Sequence, residues 1–318
     1  MAKKRILTWL RPFTGSTPPP AATPFGRAAL QLQQENIEII IAASPSSWMR
    51  IENNTWKRTE PTTVDAVYDR YSSRSLPEHY SAMSAQVGDC PRGNPGALIR
   101  ICTDKIATQR VLHDLPMPAI STNPSEFQNQ LEAWGQGFLK ARFGGLGRGV
   151  FPVEPGNKLS GWGPGAVRGG SEPTFLQQAI QPPKGFGSLC VRWLTQRNTD
   201  GSWHLLPPVA RISQHAVSNV HQGAAAIPAE EVLPTKALKE GASLVRSAAK
   251  RLTQHCHGPA LELGVDLLFD PQFKPWLLEV NSRPSGRLSA LTAKDPTRFA
   301  PLAEQAVLRP LRSLAALT

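Results

Sequence analysis

Two hydrophobic periods alternate along the chain. Lys4 to Leu10 reads as a first strand, and Phe25 to Glu35 sets Ala28, Ala29 and Leu32 at helical spacing. Ile37 to Ala43 is a β-branched run closed by Ser44-Pro45, the mark of a buried parallel strand. Between these, Ser16 to Pro24 is rich in Pro, Thr and Ala and reads as a loop. Met49 to Arg58 predicts a hairpin turning at Asn53-Asn54, and Val64 to Tyr68 a short strand. This strand–helix–strand opening predicts a small α/β unit.

The pattern then changes. Thr103 to His113 predicts a helix capped by Thr103 or Asp104 and broken at Leu115-Pro-Met-Pro118; Ser125 to Trp134 predicts a second. Phe138 to Lys140 and Val150 to Val153 read as strands flanking a glycine-rich hairpin loop, and Gly156 to Gly170 is polar and rich in glycine. Thr174 to Ile180 is a further strand. Leu189 to Gln196 and Trp203 to Ile212 read as a hairpin around Asn198-Thr-Asp-Gly201. Glu230 to Cys256 places Leu238, Ala242, Val245, Ala249 and Leu252 on one helix face. Ala260 to Phe269 and Pro275 to Val280 form a last strand pair, and a closing helix starts at Thr297.

A length of 318 residues with 40% hydrophobic positions allows two or three domains with real cores. The four cysteines form no CxxC pair, which argues against a disulfide scaffold or a zinc site and fits a reducing cytoplasm. The basic start (Lys3, Lys4, Arg5) precedes only Ile6 to Leu10, too short for a signal-peptide core. No apolar run approaches the ~20 residues of a membrane helix, so a cytoplasmic location without membrane contact is expected. The net charge of +11 is spread along the chain and only 7% of residues are aromatic, which argues against nucleic acid and suits anionic small substrates.

The strongest chemical signal is Gly264-Val-Asp-Leu-Leu-Phe-Asp270 followed by Trp276-Leu-Leu-Glu-Val-Asn281. Glu279 and Asn281 are two apart and share a strand face, and in an antiparallel hairpin Asp266 lies opposite them. Three oxygen ligands on one face suit Mg²⁺, completed by phosphate and water. The alternative is an edge hairpin with solvated acids, against which Asp266 and Glu279 sit in apolar runs. Asp270, beside Pro271, reads as a turn residue. The second signal is Phe138-Leu-Lys140 and the loop Phe143-Gly-Gly-Leu-Gly-Arg-Gly-Val150, whose Gly144, Gly145 and Gly147 permit close approach of backbone N–H groups to phosphates. It is neither a Walker A loop nor a dinucleotide fingerprint, and a plain flexible hairpin is its other reading.

In this order the motifs resemble the ATP-grasp superfamily, most nearly the YheC/YheD-type spore-coat-associated proteins, and more distantly tubulin–tyrosine ligase and the RimK-type ligases. The resemblance includes Val64-Asp-Ala-Val-Tyr-Asp-Arg70, Lys105, the Lys140 loop, Phe175-Leu-Gln-Gln-Ala-Ile180, Val191-Arg-Trp-Leu-Thr-Gln-Arg197, Ala210-Arg-Ile-Ser213, Ser218-Asn-Val-His-Gln-Gly223 and Glu279-Val-Asn281. It implies an α/β (α+β) fold of three parts: a small N-terminal α/β domain (1–102), an ATP-grasp subdomain with the glycine-rich loop (103–176), and a second carrying the metal-binding strands (177–318). It implies that Lys105 and Lys140 hold the ATP phosphates and that the backbone of Gln177, Gln178, Ala179 and Ile180 reads adenine. Asp266, Glu279 and Asn281 would ligate one or two Mg²⁺, with Mn²⁺ as a substitute. Arg192 and Arg211 would steady the transferring phosphoryl group and the acyl phosphate, and Asn219 would lie near the phosphates or the metal. Arg70 and Arg283 are candidates for a substrate carboxylate, with a domain-bridging salt bridge as the other reading of Arg70. One position departs from the pattern: relatives often carry an Asp before the Val-Arg pair, where this chain has Cys190.

The implied activity is ATP-dependent joining of a small-molecule or peptide carboxylate to an amine through an acyl phosphate, with release of ADP and phosphate. A nucleotide-binding or coat-associated structural protein without turnover, and a kinase of the same fold, are the alternatives.

Overall fold

The computed structural model describes residues 2–10, 24–44, 46–70, 77–144, 149–157, 174–214, 224–284 and 288–318. The first unit contains β1 (Lys4–Trp9), α1 (Pro24–Gln33), β2 (Ile37–Ser44), β3 (Ser47–Glu52), β4 (Thr55–Thr59), β5 (Ala66–Asp69), α2 (Pro77–Val87) and β6 (Arg92–Gly93). Its sheet has the order β4-β3-β2-β1-β5-β6, parallel through β2, β1, β5 and β6, with β3 and β4 antiparallel at one edge. The apolar run Ile39 to Ala42 of β2, with Ile6, Leu7 and Trp9 of β1, reflects burial on both faces. Ile6, Ile39 and Ile41 pack with Ala28 and Leu32 of α1, while Leu7, Trp9, Ile40 and Trp48 form a separate core on the other side.

The second unit runs through α3 (Gly96–Thr103), α4 (Lys105–Val111), β7 (Ile120–Ser121), α5 (Phe127–Trp134), β8 (Gly137–Ala141), β9 (Val150–Val153) and β10 (Thr174–Gln178). Its sheet, β7-β10-β8-β9, is antiparallel at every junction. Asp104 caps α4 by accepting from the amides of Ile106 and Ala107. Helices α2 and α3 were not anticipated by the hydrophobic pattern.

The third unit has β11 (Ser188–Arg197), β12 (Trp203–Leu205), β13 (Val209–Ser213), β14 (Ala225–Pro228), α6 (Thr235–Gln254), β15 (Glu262–Phe269) and β16 (Pro275–Asn281), in the antiparallel order β14-β13-β11-β15-β16 with β12 also on β11. The single strand expected over 203–212 is two, because Pro207-Pro208 interrupts the ladder. Helix α6 begins at Thr235 rather than Glu230, with Pro234 at its N-cap. Its buried stripe is Ala237, Gly241, Leu244, Val245, Ala248, Ala249 and Leu252, leaving Leu238 and Ala242 half-buried on its flank.

Alternation along β11 and β15 divides the third sheet cleanly. Leu189, Val191, Trp193, Leu263, Val265 and Leu267 enter one core with α6. Cys190, Arg192, Leu194, Glu262, Gly264 and Asp266 therefore share the opposite face. The chain closes with α7 (Leu288–Lys294) and α8 (Pro296–Ala315). Helix α8 returns to the first sheet, where Leu308, Leu311 and Leu314 pack with Ile6, Ala29 and Leu32. The first half of α8 packs on the third unit instead, where Phe299 joins Leu194, Leu206 and Val209.

Candidate active site

One row of side chains crosses the polar face of the third sheet. Arg211 of β13 lies opposite Cys190 of β11; Arg192, two residues further along β11, lies opposite Asp266 of β15; and Asp266 lies opposite Glu279 of β16. Asn281, opposite Gly264, stands on the same face as Glu279. The ladder shifts register between Asp266 and Leu267, so that Leu278 is the extra residue on β16.

The row is densely bonded. Arg192 Nε donates to Asp266 Oδ1 and its Nη2 to Oδ2 at 2.5 Å, a bidentate fork on a fully buried carboxylate. Arg211 Nη2 reaches Asp266 Oδ2 at 3.1 Å and Cys190 Sγ at 2.7 Å. Burial alone would raise the Asp266 carboxyl, but Arg192 and Arg211 hold it well below the usual carboxylate range. Burial pushes the Cys190 thiol up to about 11 against the pull of Arg211, so it is neutral at pH 7 and accepts Arg211 as an uncharged sulfur. Asn281 Nδ2 donates to Glu279 Oε1 at 3.4 Å.

The second unit supplies lysines. Lys140, on β8, donates from Nζ to Gln177 Oε1 of β10 at 2.5 Å. Lys105, at the start of α4, donates to the carbonyls of Ala141 at 3.3 Å and Gly144 at 2.9 Å. Asp104 fixes this junction: both its oxygens accept from Arg142, beside the strand carrying Lys140. The two sheets meet here. A narrow cavity is lined by Lys105, Lys140 and Gln177 from one side and by Leu278 and Glu279 from the other. Lys140 feels both walls: burial pushes its ammonium down to about 8, Glu279 opposes this, and Lys105 adds to it. Cys102, Thr108 and Gln109, which belong to no motif named above, also line the cavity, as does Phe175 of the Phe175–Ile180 stretch.

The remaining candidates divide. Gln178 and Ala179 spend their amides on the carbonyls of Ala119 and Gln136. Among the described residues the amide of Ile180 has no acceptor, which narrows any base-reading donor in this stretch to that residue. Gly144 has φ of 137°, a backbone state suited to glycine. Gly145, Gly147 and Asn219 lie outside the described residues, as do most of the glycine-rich segment 156–170 and residues 215–223. Arg70 bonds Glu262 Oε1 and the carbonyl of Pro284, while Arg283 bonds Asp69 Oδ2 at 2.8 Å. Both bridge the first and third units. Asn94 adds to that junction, donating to the carbonyls of Glu262 and Ser282 and accepting from the amide of Leu261. Asp270 caps its own turn by accepting from the amides of Gln272 and Lys274.

The donor set fits a nucleotide with a divalent cation. Lys105, Lys140, Arg192 and Arg211 set four positive charges against the two carboxylates Asp266 and Glu279, an excess that matches an anion. Arg211 Nε is buried and without a partner among the described residues, a donor left for a further acceptor. Among the described residues no group of three or more His, Cys, Asp or Glu could hold a metal on its own. Two carboxylates and an amide suit a cation that completes its shell with phosphate oxygens.

Comparison with known proteins bears on the fold. Residues 167–307 match the family described as YheC/D like ATP-grasp. Among solved structures, the D-alanine-D-alanine ligase from Coxiella burnetii superposes with a TM-score of 0.63 at 14% identity, over 99% of this chain and 94% of that one. N5-carboxyaminoimidazole synthase from Aspergillus clavatus, in complex with ADP and 5-aminoimidazole ribonucleotide, gives 0.62 at 15% identity over 99% and 78%. L-amino acid ligase from Bacillus licheniformis gives 0.60 at 16% identity over 99% and 75%. At these identities the likeness is one of fold. No curated protein matches the chain. No helix among the described residues is long and apolar enough to cross a membrane.

Proposed function

We propose that this chain, an ATP-grasp protein whose residues 167–307 match the YheC/D-like family, is an ATP-dependent carboxylate–amine ligase. One observation carries the reading. Lys105 and Lys140 of the second unit line one cavity with Glu279, the end of the arginine–carboxylate row, which is close enough to act on Lys140.

A carboxylate is a poor acyl donor because its leaving group is oxide. Transfer of the γ-phosphoryl group gives a mixed anhydride, which an amine attacks with loss of phosphate. The protein's part is position and charge. Lys105 and Lys140 would neutralise the phosphates. Arg192 and Arg211 would meet the charge on the transferring group, and the unpartnered Nε of Arg211 is a donor held ready for it. Asp266, Glu279 and Asn281 would hold Mg²⁺, which when bound supplies Lewis-acid neutralisation of phosphate oxygens. Asp266 is already anchored by both arginines, so the acid and the phosphoryl donors form one unit. Cys190 in place of a carboxylate leaves Arg211 with a neutral partner and the row one negative charge poorer. The site therefore favours an anionic ligand more strongly than it would with an acid at that position.

The structural reading draws support from the buried pairing of both arginines with Asp266. The test is ADP release from MgATP across a panel of acids, with and without amines. Amine-dependent ADP release, abolished by Glu279→Gln, is expected. ADP that never depends on an amine would indicate a kinase, and no ADP with any substrate a binding protein.

A further inference from the structure

A second cavity, of about 170 Å³, lies beyond the arginine row, where the third sheet meets the first sheet and α8. Leu194, Ala306 and Val307 give it apolar walls, and Tyr68, Arg70 and Glu262 form one polar end. The polar end is a built ion pair. Arg70 Nη1 donates to Glu262 Oε1, its Nη2 to the carbonyl of Pro284 at 2.7 Å, and Glu262 Oε2 accepts from Gln196 Nε2 at 3.2 Å. The guanidinium sits 5.6 Å from the ring of Tyr68. The Glu262 side chain is only 4% exposed and that of Arg70 23%, so the pair reaches the cavity from a largely dry wall.

We infer that this cavity binds a free aliphatic amino acid, between alanine and leucine in size, as one of the two substrates. This rests on the ligase reading above. A guanidinium has five donors and a carboxylate about four acceptor sites, so the pair can take an α-carboxylate at Arg70 and an α-ammonium at Glu262 without separating. The pair is neutral overall. A zwitterion keeps it neutral, whereas a lone carboxylate or a lone amine brings an uncompensated charge into a poorly solvated place. The volume agrees: a cavity of about 150 Å³ holds a benzene-sized body, and away from the ion pair the lining is apolar apart from Ser289. Position agrees too. Pro284, which walls the cavity, and Arg192 of the row both lie over Gly264, where an added Cβ would stand 2.7 Å from Pro284 Cβ and 3.2 Å from Arg192 Nη1. The cavity is thus one proline from the phosphoryl-binding arginine.

Calorimetric titration of the full chain with D- and L-alanine, valine and leucine, and with 4-methylpentanoate and 3-methylbutylamine, tests this, each with and without a non-hydrolysable MgATP analogue. At least one amino acid is expected to bind tenfold or more tighter than both single-charge analogues. Ala306→Phe, which adds a ring at the apolar wall, is expected to abolish that binding and leave the nucleotide isotherm unchanged. Arg70→Lys, which keeps the charge and loses the fork, is expected to weaken it tenfold. Amino acids that bind no tighter than the monocarboxylate, or that bind Ala306→Phe equally well, overturn the assignment. Nucleotide binding without amino-acid binding removes this inference alone. Amino-acid binding without nucleotide binding upholds the cavity and removes the ligase reading.

Discussion

Replacing Arg192 by methionine keeps most of the side chain's volume and removes two hydrogen bonds from a carboxylate with no exposed surface. Deleting one partner of a buried pair costs about 3–5 kcal/mol, because the other charge is left uncompensated. Arg211 remains at 3.1 Å from Oδ2, which places the cost at the lower end, about 3 kcal/mol. For a chain of this size each kcal/mol moves the midpoint by roughly 2–4 °C. Thermal unfolding followed by circular dichroism should therefore show a fall of roughly 6–12 °C. Adding Asp266→Asn should return part of that loss, since the orphaned charge is then gone. The pH dependence has a definite sign. Asp266 is depressed in the folded state, so its contribution is present above the unfolded carboxylate value near ~3.9 and is lost only as pH falls through the lower folded value. Without Arg192 the folded value moves up toward the unfolded one, so the variant should lose less stability than the wild type as the pH is lowered from about 5 to about 2. A variant melting within a degree of wild type, or a double variant no more stable than the single one, would refute the claim that this pair anchors the row.

Other outcomes follow from the same geometry. Lys140, held near 8 by burial and by Lys105, is charged below that pH and neutral above it; phosphates favour the charged form, so MgATP affinity measured from pH 7 to 9.5 should fall above about 8, and a flat profile would contradict the lysine's role. Gly241→Ala would set a Cβ 2.8 Å from the buried Trp193 ring, so despite the better helix propensity of Ala it should destabilise by about 1–3 kcal/mol in urea unfolding.

The row of acids was legible because strand alternation alone fixes which side chains share a face: Asp266, Glu279 and Asn281 needed only two short strands and a turn. Lys140 and the hairpin around it were legible for the same reason. What sequence did not expose depends on distant partners. Arg70 meets Glu262 across 192 positions, and no local pattern announces that pairing. Helix α8 shows a helical stripe, but nothing in the stripe says that its partners are Ile6 and Leu32. Helix α3 spans only Gly96–Thr103, about two turns, too few for the period to stand out. Cys102, Phe175 and Leu278 line the cavity between the sheets as ordinary apolar residues, and their place there comes from where the sheets bring them. The break at Pro207-Pro208 was readable in principle, since neither proline donates to a ladder.

The most direct test of a nucleotide seated between the two sheets is calorimetric titration of MgATP into the wild type, Lys140→Met and Glu279→Gln, one change on each wall of the cavity. A single saturable site in the wild type, weakened at least tenfold by each variant, is the expected result. Isotherms that coincide for all three proteins would contradict it.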